Sequence, residues 1–231
     1  MKIDIIYRCC EEDTKLQFRP YWFSKLKSLK NTVNVFQRSK IHIIHDGPNG
    51  LLWRYINKHS HQFESINKIN LSSNAQSLIY CYDFAEKLNT DFIYFLEDDY
   101  MHTPDAEEVL IDGVLTISSN YQHSVFTLYD HPDRYARADD YDFGRTKLKL
   151  SQLRHWRSAE STTCTWGISF KQFVLIKDNA KYWNIRDREF FRYLYSEGTF
   201  DLWQPITGAS THCHKPFLSP LVDWDNICAT Y

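Results

Sequence analysis

Six residues, Asp91-Phe92-Ile93-Tyr94-Phe95-Leu96, followed by three acids, Glu97-Asp98-Asp99, form the most informative stretch of this 231-residue chain. The first six are an almost unbroken apolar run. A strand covered by helices on both faces has no solvent side, so its sequence shows such a run instead of alternation. The pattern predicts a buried strand at 91–96 with three carboxylates emerging at its end. In open α/β sheets, ligands bind just beyond the carboxyl ends of strands. Adjacent carboxylates repel one another, and burial raises the cost further. A divalent cation removes that penalty, and hard oxygen donors suit magnesium or manganese. The plainer alternative is a solvated acidic loop. If the strand persists through the acids, Glu97 and Asp99 share one side and Asp98 takes the other.

Upstream, strands and helices alternate. Residues 2–8 read as a strand, and residues 20–30 carry Tyr21, Trp22, Leu26 and Leu29 at helical spacing. Residues 40–45 read as a second strand, stopped by Asp46-Gly47-Pro48-Asn49-Gly50, a strong turn signal. A helix from Leu51, a strand at 62–69 and a helix capped by Ser72-Ser73-Asn74 follow. This βαβ order predicts a Rossmann-like, mostly parallel central sheet flanked by helices. It predicts one domain over 1–231, with a nucleotide-type half over about 1–100 and a second half with a tail over about 101–231, the half to which the resemblance given below assigns acceptor binding.

Downstream the periodicity weakens. A helix is expected from Pro104 to about 119, with Val109, Leu110, Val114, Leu115 and Ile117 on its buried side. Strands are expected at 123–129 and 162–170, and helices near 171–182 and 186–197. The polar stretch 130–160 reads as a long excursion, and the tail from Pro205 as irregular.

The formal net charge is −2, from 27 basic and 29 acidic residues, so nothing draws the chain toward nucleic acid or an anionic membrane. No apolar run approaches the length of a membrane span. The start, Lys2-Ile3-Asp4-Ile5, is too charged for a signal peptide. Six cysteines without a CxxC pair suggest reduced thiols and a cytoplasmic setting. Walker A, GxGxxG and GxSxG sequences are missing, which disfavours P-loop, NAD-dependent and α/β-hydrolase chemistry.

A strand at 2–8, Asp46-Gly47 after the second strand, and an acidic triplet closing a later hydrophobic strand together resemble the GT-A-fold glycosyltransferases, most closely the family-2-like enzymes. Their Asp-x-Asp element is matched by Glu97-Asp98-Asp99. The resemblance implies transfer of a sugar from a nucleoside-diphosphate donor, UDP-linked and with inversion, to a glycan or other hydroxyl acceptor. It implies that Tyr7, Arg8 and Asp46 line the base and ribose pocket, with Asn74 in the stretch beside the base. Asp99 would bind Mn²⁺ or Mg²⁺ directly, while Glu97 and Asp98 would contact ribose or metal-bound water.

Two further signals lie late in the chain. Thr211-His212-Cys213-His214, if extended, points both imidazoles to one side. Enzymes of the resembled fold supply a late histidine to the metal, so His212 and His214 are candidates, with His214 preferred. Inverting transfer also needs a carboxylate to take the acceptor proton. In the resembled family that acid opens a helix, and Asp187 between Arg186 and Arg188 occupies this place, with Glu189 and Glu160 in reserve. Among Arg134, Arg137, Arg145, Lys147, Lys149, Arg154 and Arg157, one or two would clamp a diphosphate or an anionic acceptor, and with Asp139, Asp140 and Asp142 among them most read as a solvated mixed-charge surface. Trp156 and Trp166 are expected either in the core or against a sugar face.

Two other functions fit the same acids. A sugar nucleotidyltransferase on a similar sheet would need acids and a metal, but also a Gly-rich basic loop after the first strand. Here that segment is Arg8-Cys9-Cys10-Glu11-Glu12-Asp13, without glycine. A non-catalytic sugar-binding module on the same fold is the other.

Overall fold

A computed structural model describes residues 1–12, 16–118, 123–136, 146–163 and 165–231. The strand expected at 2–8 is β1 (Ile3–Cys10). Its neighbours are β2 (Lys40–Asp46), β3 (Ser65–Ile69) and β4 (Phe92–Glu97). These four run parallel in the order β3-β2-β1-β4. Three helices connect them: α1 (Lys25–Val35), α2 (Leu51–Lys58) and α3 (Asn74–Ala85). The first half is therefore the predicted parallel βαβ arrangement.

Strand parity sorts the two faces. Ile3, Ile5, Tyr7 and Cys9 pack into a core shared with α1 and α2, while Ile6 packs with α3 on the opposite side. On β4, Phe92, Tyr94 and Leu96 join the first core, and Ile93 and Phe95 the second. All five residues from Phe92 to Leu96 are buried, which is why the sequence there does not alternate.

The first α-helix starts later than its apolar spacing suggests. Ser24 accepts a hydrogen bond from the Lys27 N–H and caps α1, so Tyr21 and Trp22 precede it. Trp22 instead packs in a third, small core with Met101, Cys213, Trp224 and Cys228.

Beyond Glu97 the sheet becomes mixed. The short β5 (Tyr100–His102) leads to α4 (Ala106–Ser118), then β6 (Ser124–Phe126) and the single turn α5 (Asp133–Ala136). Val109, Leu110, Val114 and Ile117 are buried as expected, but Leu115 is exposed. Within 130–160, the described residues 146–160 are more regular than their polarity suggests. They contain β7 (Leu148–Leu150) and β8 (His155–Ala159), an antiparallel pair at the sheet edge. Next come β9 (Trp166–Ser169), α6 (Phe170–Trp183), α7 (Asp187–Ser196) and β10 (Asp201–Ile206). The tail holds β11 (Ser210–His212) and α8 (Trp224–Cys228). The full order is β3-β2-β1-β4-β9-β6-β10-β8-β7, so one nine-stranded sheet crosses both halves. Trp156 and Trp166 are both in the core. Among the described residues, no helix is long and apolar enough to cross a membrane.

Candidate active site

Register brings the first functional groups together. β1 and β4 are parallel neighbours with Arg8 opposite Glu97, so both strands end at one edge of the sheet. Arg8 and Glu97 have the same parity as Ile6 and Phe95, and both face α3. Arg8 bonds the Glu97 carboxylate, donates to the Asn74 backbone carbonyl at 2.9 Å and to Ser77 Oγ at 3.0 Å, and also reaches the Asn74 side chain. After Glu97 the chain turns into β5, which pairs antiparallel with β11 in a separate two-stranded sheet, placing His212 opposite Tyr100. His212 Nε2 thereby stands 3.0 Å from Asp99 Oδ2. Strand pairing across more than a hundred residues supplies this contact.

A cavity of about 580 Å³ opens at this edge. Arg8, Asp46, Asn74, Glu97, Asp98, Asp99, Asp187 and His212 all line it. Asp46 closes β2 and accepts the N–H groups of Leu71 at 2.7 Å and Ser72 at 3.2 Å, tying down the loop before α3. Asp187 opens α7 as expected and is half-buried at the cavity wall.

Two predicted residues lie elsewhere. Tyr7 is wholly buried on the α1 side, where its hydroxyl donates to Ser28 Oγ at 3.3 Å. Parity forbids it from sharing a face with Arg8. His214 does not line the cavity; its ring packs between Phe18 at 5.0 Å and Phe217 at 4.8 Å. The chain turns after β11, and the i, i+2 reading holds only while a strand continues. Of the reserves, Glu189 is exposed, and Glu160 lies 3.8 Å from Arg192; neither lines the cavity.

The acids are not left to repel one another. Each has a basic partner from the N-terminal segment: Arg8 on Glu97, Lys25 Nζ 3.0 Å from Asp98 Oδ2, and Arg19 Nη2 3.0 Å from Asp99 Oδ2. Asp98 also accepts the Cys10 N–H at 2.9 Å. Burial pushes the Asp98 carboxyl up to about 6, against the pull of Lys25. Burial also works to lower Lys25, but the Asp98 carboxylate more than offsets it and keeps the ammonium charged. Burial likewise acts to raise Asp99, yet His212 and Arg19 outweigh it and hold its carboxyl well below the usual range.

Arg19 and Lys25 escaped the sequence reading. Neither belongs to a recognisable motif, and only folding brings the loop before α1 against the end of β4. The basic residues singled out between 130 and 160 are engaged otherwise. Arg134 bonds the Ser161 carbonyl, Arg154 pairs with Asp105 at 2.6 Å, Arg157 with Asp130 at 2.7 Å and Lys147 with Asp201 at 2.8 Å. Lys149 lies on the edge strand β7, and Arg137 and Arg145 fall outside the described residues. None of the described five lines the cavity.

Glu11, also missed, plays a local part. It accepts the N–H groups of Leu52 at 3.2 Å and Trp53 at 2.7 Å, the open donors at the start of α2. Gly50, the cap residue, has no side chain for this task, and a Cβ there would come within 2.2 Å of the Glu11 carboxylate.

Asp99 and His212 fit a small divalent ion. Asp99 Oδ1 is buried without a hydrogen-bond partner, a costly state for a carboxylate oxygen. Its other oxygen already faces an imidazole. Among the described residues no cluster of three or more His, Cys, Asp or Glu forms a complete protein cage. Magnesium and manganese sites on phosphate substrates do not need one, because water and phosphate oxygens complete the shell.

No protein-family model and no curated protein matches the sequence. Solved structures do match in fold. Residues 1–349 of S. aureus TarS, a GT-A-type glycosyltransferase, superpose with a TM-score of 0.53 at 11% identity, over 88% of this chain and 60% of that one. CMP:2-keto-3-deoxy-manno-octonic acid synthetase complexed with CTP superposes with a TM-score of 0.51 at 13% identity, over 88% of this chain and 89% of that one. The fold is thus one shared by GT-A glycosyltransferases and sugar nucleotidyltransferases. The chain spans about 60% of the length of the TarS structure.

Proposed function

We propose that this chain is a glycosyltransferase that moves a sugar from a nucleoside-diphosphate donor, UDP-linked, to a hydroxyl acceptor with inversion, and that Mn²⁺ or Mg²⁺ serves it. The observation that carries the reading is the meeting of Asp46, Glu97-Asp98-Asp99, His212 and Asp187 around one cavity at the carboxyl ends of parallel strands. Asp46 and Asn74 line the part assigned to the base and ribose. Arg8, Arg19 and Lys25, all in the cavity lining, supply positive charge for the diphosphate. Asp99 and His212 would hold the ion, which when bound stabilises negative charge building on the leaving diphosphate.

Asp187 is the proposed base. It lines the cavity as the first residue of α7. From there it takes the proton of an acceptor hydroxyl as that oxygen attacks the anomeric carbon. The test is incubation with a panel of UDP-sugars and MnCl₂, reading UDP release and the product anomer by NMR. UDP release that requires the ion, with an inverted anomer, is the expected result. No release from any UDP-sugar would overturn the reading.

One observation favours a second reading. The superposition covers 89% of the nucleotidyltransferase chain but 60% of TarS. A nucleotidyltransferase would release pyrophosphate from CTP and a sugar acid instead of UDP from a UDP-sugar. The glycine-free segment 9–12 after β1, which lines the cavity, weighs against it.

A further inference from the structure

Arg19 stands beside the carboxylate proposed to take the ion. Its guanidinium is nearly buried, with Nη2 3.0 Å from Asp99 Oδ2 and Nη1 donating to the Cys213 carbonyl at 2.9 Å. His212 Nε2 approaches the same Oδ2 at 3.0 Å, while Oδ1 is buried without a partner. Asp99 therefore has one oxygen shared by two donors and one oxygen unused.

Glu97, Asp98 and Asp99 each have one basic partner, Arg8, Lys25 and Arg19, while Glu11, Glu12, Asp46 and Asp187 also line the cavity. A doubly positive ion arriving alone meets Arg19 across a shared carboxylate. A diphosphate arriving alone meets the surrounding acids. Arriving together, ion and diphosphate nearly cancel each other's charge. A guanidinium also fits two phosphate oxygens as well as it fits a carboxylate. Arg19 and Asp99 line the same cavity, so the exchange needs only a change of partner within it.

We infer that Arg19 is an exchangeable counterion that couples nucleotide binding to metal binding. Without donor it holds Asp99. With donor its guanidinium turns to the diphosphate and releases Asp99 to the ion. The inference rests on the nucleotide-sugar reading above and adds an order of events to it. Coupling of this kind is reciprocal, so the ion strengthens nucleotide binding by the same factor that nucleotide strengthens the ion. Lys25 provides the contrast: its partner Asp98 is fixed by the Cys10 N–H and is not a proposed ion ligand.

The experiment is Mn²⁺ binding to the full chain, read from the EPR signal of free Mn²⁺, with and without UDP. In the wild type, UDP tightens Mn²⁺ binding about tenfold or more, within the usual range of allosteric coupling. Arg19→Gln binds Mn²⁺ more tightly than wild type when UDP is absent, and the effect of UDP shrinks toward nothing. Lys25→Gln weakens UDP binding but keeps the coupling. Melting curves accompany each variant. If Arg19→Gln does not fold, Arg19→Lys replaces it, with coupling reduced because the planar fork is lost. Wild-type Mn²⁺ affinity and wild-type coupling in the Arg19 variant overturn the inference. Wild-type binding of both ligands without coupling overturns it too, while leaving the donor reading intact. Failure of wild type to bind UDP with or without Mn²⁺ removes both.

Discussion

Asp99 and Asp130 are both buried aspartates paired with arginine, and they differ in what surrounds them. Asp130 is fully enclosed and saturated. It accepts hydrogen bonds from Arg157 at 2.7 Å, the Gln204 amide at 2.8 Å and the Tyr135 hydroxyl at 2.6 Å, and Arg157 lies over the Tyr135 ring at 4.6 Å. It does not line the cavity at the strand ends. Asp99 has the same arginine chemistry, but one oxygen unpartnered and a cavity in front. Asp130 joins β10, β8 and the segment after β6 into one body; Asp99 leaves room for a ligand. His102 completes the comparison. Both of its ring nitrogens are buried without a partner, yet it sits against Phe36 and Tyr94 and does not line that cavity. An orphaned polar atom marks a candidate site only where a ligand can approach.

The comparison can be broken in four ways. Asp130→Ala should cost the most, about 3–5 kcal/mol of stability, because it strands the Arg157 charge in a buried setting. For a chain of this size that lowers the melting temperature by roughly 10 °C. UDP affinity of the folded fraction should stay at the wild-type value. A variant that melts like wild type but loses UDP would reverse the assignment of the two aspartates.

Asp99→Asn should show the opposite pattern. Its amide oxygen still accepts from Arg19 or His212, so the melting temperature falls less than in Asp130→Ala. Ion-dependent UDP release should drop by about a hundredfold or more, the usual loss when one group stabilising the leaving charge is removed. Undiminished release would remove Asp99 from the site.

His102 provides a pH test. Burial pushes its pKa down to about 3, while an unfolded chain has the ordinary value of 6.5. The folded state therefore refuses a proton that the unfolded state accepts. The His102 contribution to stability is complete above pH 6.5 and is lost as pH falls from there toward 3. The slope is about 1.4 kcal/mol per pH unit in that window. His102→Leu should flatten the acid side of a urea-unfolding series by this amount; an unchanged slope would mean the ring finds a partner. The smallest effect is expected at Glu11. Glu11→Ala removes the acceptor for Leu52 and Trp53 and should cost about 1 kcal/mol, as loss of a helix cap does.

The parallel half was legible because local signals agreed there. The continuous run at 92–96, the turn at Asp46-Gly47 and the Ser73 cap each appear in the chain as expected. The antiparallel half was less legible. β7, β8 and β11 are short, and their residues are chosen by partners far away in sequence. Leu148 and Leu150 alternate with lysines on an edge strand yet are exposed, so the pattern there does not report burial. Among site residues, parity alone argued against Tyr7 beside Arg8, since neighbours on a strand face opposite ways. The choice of His212 over His214 was not readable, because it follows from the pairing of β11 with β5.

Sequence by itself determined where the carboxylates emerge and which strands run side by side before them, since apolar periodicity is a local property set by burial. Only the tertiary structure decided which charges those carboxylates face. Arg8, Arg19 and Lys25 come from a strand, a loop and a helix that meet the end of β4 at distances no spacing rule encodes. Electrostatic partners are fixed by proximity in space, and proximity here is made by strand register and helix packing.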